Sequence, residues 1–122
     1  MHETTEEIIK NFYDSATEKS DKWQANLADE VSFSVAAEKK FAGKETFIKT
    51  YTMVLQAVER MDVKQLIVEG NTACAIVGYD YISPTKAKLH QDVAEVWNVV
   101  DGKITSFTLY YDESEYRSFM GR

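Results

Sequence analysis

The sequence predicts an α+β fold in which helices come first and an antiparallel sheet comes last. Three observations predict it. Apolar residues in the first half recur at helical spacing, as in Ile8, Ile9, Phe12, Tyr13 and Ala16. After Arg60 the period shortens to that of extended chain. Gly70-Asn71 and Asp101-Gly102 then mark tight hairpin turns between apolar runs. The 122 residues are the size of one domain, spanning 1–122, which can bury a core without disulfides or metals.

The elements follow in order. Residues 4–19 read as a helix, and Thr4 with Glu7 three positions on forms a capping-box pattern. Asp21 with Gln24 starts a second, short helix carrying Trp23 and Leu27. Residues 30–35 alternate apolar and polar, which predicts a strand. The polar stretch Glu38-Lys39-Lys40 leads through Phe41 and Gly43 into a helix over 44–60 with apolar Phe47, Ile48, Tyr51, Val54, Leu55 and Val58. Four extended runs follow at 63–68, 72–82, 88–100 and 104–111, with Ser83-Pro84-Thr85 breaking the second. Asp112 or Ser114 caps a short last helix running to Met120 and closed by Gly121. Short turns between the last four strands predict an antiparallel meander, and segregated helices on such a sheet give the α+β class.

Composition excludes several functions. A net charge of −6 and no basic cluster beyond Lys39-Lys40 argue against nucleic-acid binding. No apolar run approaches the roughly 18 residues of a membrane span, and residues 1–7 lack a signal-peptide pattern. A cytoplasmic protein is the expectation. Cys74, the single cysteine, sits in an apolar run with neither His2 nor His90 near it in sequence, and reads as a small buried hydrophobe. There is no phosphate loop, zinc spacing or nucleophile elbow, so no metal or cofactor is expected.

Four stretches resemble the SnoaL-like proteins. Ala94 through Ile104 (AEVWNVVDGKI) is similar to their penultimate hairpin, and Leu109-Tyr110-Tyr111-Asp112 to their closing strand. Phe41-Ala42-Gly43-Lys44-Glu45 resembles the stretch before their third helix, and Leu27 through Phe33 (LADEVSF) their helix-to-strand entry. The stretches span nearly the whole chain in the right order. The resemblance implies the nuclear-transport-factor-2-like cone fold: a curved antiparallel sheet with the N-terminal helices on its concave face, a cystatin-like α+β barrel. That superfamily holds ketosteroid isomerase, polyketide cyclases, epoxide hydrolases, dehydratases and non-enzymatic binding domains, so the fold does not choose the function.

Strand alternation then sorts residues onto two faces. Thr105, Phe107, Leu109 and Tyr111 are assigned to the interior, and Ile104, Ser106, Thr108 and Tyr110 to the outside. Val31, Phe33 and Val35 share one face, as do Ala73, Ala75, Val77, Tyr79 and Tyr81. The expected pocket is mostly apolar, lined by Phe33, Val35, Tyr51, Leu55, Gln65, Tyr79, Trp97, Phe107, Leu109 and Tyr111. Glu95 shares a face with Val93 and Trp97. Pointing inward it would be a desolvated acid of raised pKa, able to donate a hydrogen bond or move a proton; pointing outward it is an ordinary paired glutamate. Its place before the Asp101-Gly102 turn resembles that of the hydrogen-bonding acid of ketosteroid isomerase. At the place of that enzyme's first-strand base stands Val35, between Ser34 and Ala36, so the base is missing. Phe12 or Tyr13 is the counterpart of its first-helix tyrosine, with core packing the plainer role for Tyr13. Asp112 is a second, weaker candidate acid, and a helix cap otherwise. His90 and Asp92 share the face opposite Glu95 and read as a surface pair.

Two functions emerge. One is a small-molecule-binding domain for an apolar, oxygen-bearing ligand, working without cofactor as an isomerase, cyclase or hydrolase with Glu95 as acid or base. The other is a non-catalytic dimerisation or partner-binding module, joined as a homodimer through the outer sheet face at Ile76, Val96 and Tyr110.

Overall fold

A computed structural model describes residues 4–35 and 39–121. Residues 1–3, 36–38 and 122 lie outside it, and with them His2, Ala36 and Glu38 of the sequence reading. Helix α1 is Thr5–Thr17, and its capping box is closed: the Thr4 hydroxyl accepts from the Glu7 amide while the Glu7 carboxylate accepts from the Thr4 amide. One turn of 3-10 helix, Asp21–Gln24, follows. The expected second helix is that short because Leu27 already opens strand β1, Leu27–Val35. Asn26 pins this corner, donating to the Gly102 carbonyl and accepting from the Ile104 amide.

Lys39–Ala42 is a short strand β2, paired antiparallel to β1, where the sequence suggested only a polar connection. Helix α2, Lys44–Ala57, passes without a loop into β3, Val58–Glu69. Strands β4 (Thr72–Ile82), β5 (Lys88–Val100) and β6 (Lys103–Tyr110) complete the sheet, and α3 is Glu113–Met120. Asp101 and Gly102 both take positive φ, 50° and 77°, as the β5–β6 turn requires.

The sheet order is β2-β1-β6-β5-β4-β3. The antiparallel meander of β3 to β6 is as the turns predict. The sheet as a whole is mixed, because β1 lies parallel to β6. It is curved but unclosed, with β2 and β3 as free edges, so the expected barrel is an open cone. Helices α1 and α2 cover its inner face. Phe12 meets Trp97 at 4.6 Å between ring centroids, and Phe47 meets Phe33 at 5.4 Å. Burying each such side chain contributes about 1.5–3 kcal/mol. Among the described residues no helix is long and apolar enough to cross a membrane.

Two of the register shifts in the sheet change which residues face inward. One extra residue moves every later side chain to the other face. In β3 the register slips between Val63 and Gln65, so Leu66 and Val68 turn inward and Gln65 stands exposed. Gln65 is therefore not an interior residue, contrary to the plain alternation. In β6 the slip falls opposite Asn98 and Val99, and Ile104, expected outside, is fully buried.

Candidate functional site

Glu95 points inward. Strand β5 lies between β4 and β6, and its inner row Val93, Glu95, Trp97 and Val99 is buried throughout. The small Ala75 is the direct β4 partner of Glu95 and leaves space for the carboxylate. Four elements supply its surroundings. Tyr13 from α1 donates its hydroxyl to Oε1 at 2.5 Å, and Tyr79 from β4 donates to Oε2 at 2.7 Å. Trp97 from β5 donates its indole N–H to the Tyr13 oxygen at 2.8 Å. The Tyr51 hydroxyl of α2 lies 3.4 Å from that of Tyr79. No cation pairs with Glu95 among the described residues.

Two opposed effects set its charge. Burial disfavours the carboxylate, and the two tyrosine hydrogen bonds favour it. Burial is the larger, and the pKa rises from 4.5 to about 7. The same burial, with the nearby carboxylate, pushes Tyr13, Tyr51 and Tyr79 well above their ordinary value, so they remain neutral donors. The cluster is thus one acid poised near neutrality and a set of fixed hydroxyls around it.

An aromatic cavity of about 260 Å³ lies at the mouth of the cone. Phe33, Val35, Leu109 and Tyr111 border it. The chain's other contributions there were not singled out: Phe41, Thr50, Val54, Glu113, Tyr116 and Arg117. Glu113 and Arg117 are four apart on α3 and form an ion pair at the rim, a spacing visible in sequence. Tyr81 stands between the cavity and the acid. Its ring stacks on Tyr79 at 5.7 Å and on Tyr116 at 4.9 Å, and Leu109 beside it is the β6 partner of Glu95.

The other expected lining residues lie elsewhere. Tyr51, Tyr79, Trp97 and Phe107 form the closed core behind the cavity. Leu55 borders a shallow 460 Å³ groove with Lys19 and Trp23, which is open to solvent and touches no member of the Glu95 cluster. Asp112 is a cap: its carboxylate accepts from the Glu115 amide at 2.9 Å, so it holds α3 rather than serving as an acid in the cavity. Gln91, also missed, ties α3 to β5 by donating to the Asp112 carbonyl and the Glu115 carboxylate, while its own Oε1 has no partner among the described residues.

The outer face carries a separate polar cluster. His90 binds Asp80 through Nδ1 at 2.6 Å and Asp92 through Nε2 at 2.8 Å, and Lys64 also reaches Asp92. Hydrogen bonds to both carboxylates raise the His90 pKa, which favours an imidazolium donating from both nitrogens. Gly78 makes room for the ring: a Cβ there would meet Lys64 Cε at 3.0 Å and His90 Cε1 at 3.1 Å.

The sequence matches the SnoaL-like domain family over residues 9–107. A putative SnoaL-like polyketide cyclase from Jannaschia sp. CCS1 superposes with a TM-score of 0.81 at 11% identity, over 97% of this chain and 92% of that one. SalBIII, an epoxide hydrolase/cyclase-like enzyme with a role in pyran ring formation in the polyether salinomycin, superposes at 0.81 with 12% identity, over 90% and 92%. TerC, co-crystallised with polyporic acid, superposes at 0.82 with 13% identity, over 97% and 98%. At such identities the likeness is one of fold. No curated protein matches the chain significantly in sequence.

Proposed function

The chain belongs to the SnoaL-like domain family, and from that premise we propose that it binds a small, apolar, oxygen-bearing molecule and acts on it through Glu95 as acid or base. The observation that carries this reading is a fully buried carboxylate with a pKa of about 7, held by two tyrosine hydroxyls behind an aromatic cavity. Protonated, Glu95 gives a proton to a developing oxyanion; ionised, it takes one from an acidic C–H or O–H. Tyr13 and Tyr79 stabilise the carboxylate left behind. Val35, at the place of the isomerase base, is an aliphatic wall of the cavity. Glu95 is therefore the buried carboxylate of the chemistry, while Glu113 at the rim is paired with Arg117, and isomerisation, cyclisation or hydrolysis are the reaction types in reach. The putative polyketide cyclase and the epoxide hydrolase/cyclase-like enzyme among the structural neighbours support that range. A substrate enters from the cavity and reaches Glu95 by moving Tyr81 aside.

Glu95→Gln is the test. It keeps the shape and removes the titrating proton. With a verified substrate the variant is expected to fold and to lose turnover by about 100-fold or more, the usual scale for a general acid or base. Turnover equal to that of the parent protein ends the catalytic assignment.

A second reading rests on the outer sheet face. Ile67, Cys74, Val96 and Thr108 form one row across it, and Ile76, Ala94 and Tyr110 the next. Ile67 and Tyr110 are more than half exposed, at 55% and 51%. Such a face fits a homodimer of a non-catalytic module, and it is equally compatible with an enzyme. Light scattering at micromolar concentration is expected to give the mass of two chains, and Ile67→Glu that of one. A monomeric parent protein removes this reading.

A further inference from the structure

A second cavity borders one member of the Glu95 cluster, Tyr13. A cleft of about 340 Å³ runs between α1 and β3, bordered by Lys10, Tyr13, Asp14, Lys64, Gln65 and Leu66. The β3 bulge gives it this form, because the slipped register leaves Lys64 and Gln65 exposed at its edge. Tyr13 belongs both to this cleft and to the cluster around the acid, whereas Tyr51, Tyr79 and Trp97 border none of the cavities described above. On the other side, Tyr81 and Leu109 line the mouth cavity.

We propose that the cleft between α1 and β3 is the proton route to Glu95, with Tyr13 as its relay, separate from the route a ligand takes through the mouth. The proposal rests on the reading of Glu95 as a group that changes protonation in use. Hydrogen bonds define the path. The Tyr13 hydroxyl is already directed at Oε1, 2.5 Å away. Its oxygen accepts one bond from Trp97 and keeps a second acceptor position. In the protonating direction, a hydronium ion in the cleft gives a proton to the Tyr13 oxygen as Tyr13 passes its own proton to Oε1. The hydronium becomes water, Tyr13 ends neutral, Glu95 gains one proton, and no electrons move. Deprotonation is the reverse.

The groups around the path fit this role. Those facing Glu95 are the neutral hydroxyls of Tyr13, Tyr51 and Tyr79, from α1, α2 and β4. Those at the cleft are Lys10 and Asp14 of α1 and Lys64 of β3, all exposed, with Lys10 paired to Glu6 and Lys64 to Asp92. The benefit is functional separation: the acid resets its proton while a ligand still fills the mouth.

The test is the protonation exchange rate of Glu95, read from relaxation dispersion of its side-chain carboxyl ¹³C at the titration midpoint. Gln65→Phe fills the cleft from an exposed position, and Val54→Phe narrows the mouth. The cleft variant is expected to slow exchange about tenfold, and the mouth variant to leave it within about twofold. Tyr13→Phe is expected to slow it about tenfold at its own midpoint, since a ring without a hydroxyl cannot relay. Slowing by Val54→Phe with none by Gln65→Phe overturns the route, and so does an unslowed Tyr13→Phe. A Glu95 without a midpoint between about pH 5 and 9 overturns the catalytic reading as well, so the two failures are distinguishable.

Discussion

Between pH 4.5 and 7 the protein is expected to lose about 3 kcal/mol of stability that its Glu95→Gln variant keeps. The sign follows from proton binding. Glu95 titrates at about 7 when folded, against 4.5 for an unhindered glutamate. Below 4.5 both states hold the proton and the site is neutral to stability. Between the two values the folded state still holds a proton that the unfolded state has released, so raising the pH favours unfolding. Above 7 both are ionised, and the loss is complete. The carboxylate then lies buried without a cation, supported only by the Tyr13 and Tyr79 hydroxyls. Urea denaturation of both proteins across this range is the measurement. The difference between the two curves carries the effect, because other groups titrate alike in both. Parallel curves would show that Glu95 keeps an ordinary pKa and that the hydrogen bonds offset burial.

Trp97→Ala is expected to destabilise the fold by about 3–5 kcal/mol, the range for removing a large aromatic from a core. That is a large part of the total stability of a domain this size. Trp97 is fully buried and meets Phe12 at 4.6 Å and Phe107 at 4.1 Å, so its loss opens a cavity between α1 and the sheet. Trp97→Phe separates packing from hydrogen bonding. It keeps a ring and removes the N–H that polarises Tyr13. Tyr13 then donates more weakly to Glu95, and the Glu95 pKa is expected to rise further. Thermal and urea unfolding measure the first effect, and carboxyl ¹³C titration the second. A Trp97→Ala protein within about 1 kcal/mol of the parent would contradict the packing described here.

The site was partly legible in the chain. Glu95 stood out because a charged residue in an apolar alternating run is rare, but its direction stayed open between an inward acid and an outward paired glutamate, and only the buried inner row of β5 turns it inward. Tyr13 was read mainly as a core residue, with Phe12 an equal counterpart of the isomerase tyrosine, since nothing local to α1 shows that its hydroxyl meets a carboxylate 82 positions away. Gln65 shows the opposite failure. Its alternation with Val63 pointed inward, and the bulge at Lys64 turned it out. Asp112 was ambiguous in sequence because cap and acid use the same carboxylate, and only the Glu115 amide beside it decides. The mouth residues of α3 gave no signal beyond a charge pair four apart.

What the sequence determined by itself was local: the helical and extended periods, the Asp101-Gly102 turn, the Thr4–Glu7 cap, and the order of elements apart from β2. Those depend on residues within a few positions of each other, so the chain carries them openly. The tertiary structure alone decided the parallel pairing of β1 with β6, the bulges that exchange inner and outer residues, and the gathering of Tyr13, Tyr51, Tyr79 and Trp97 around one acid. Each of these balances contacts between distant segments against the cost of bending a strand or burying a charge, and no short stretch of sequence holds both sides of that balance.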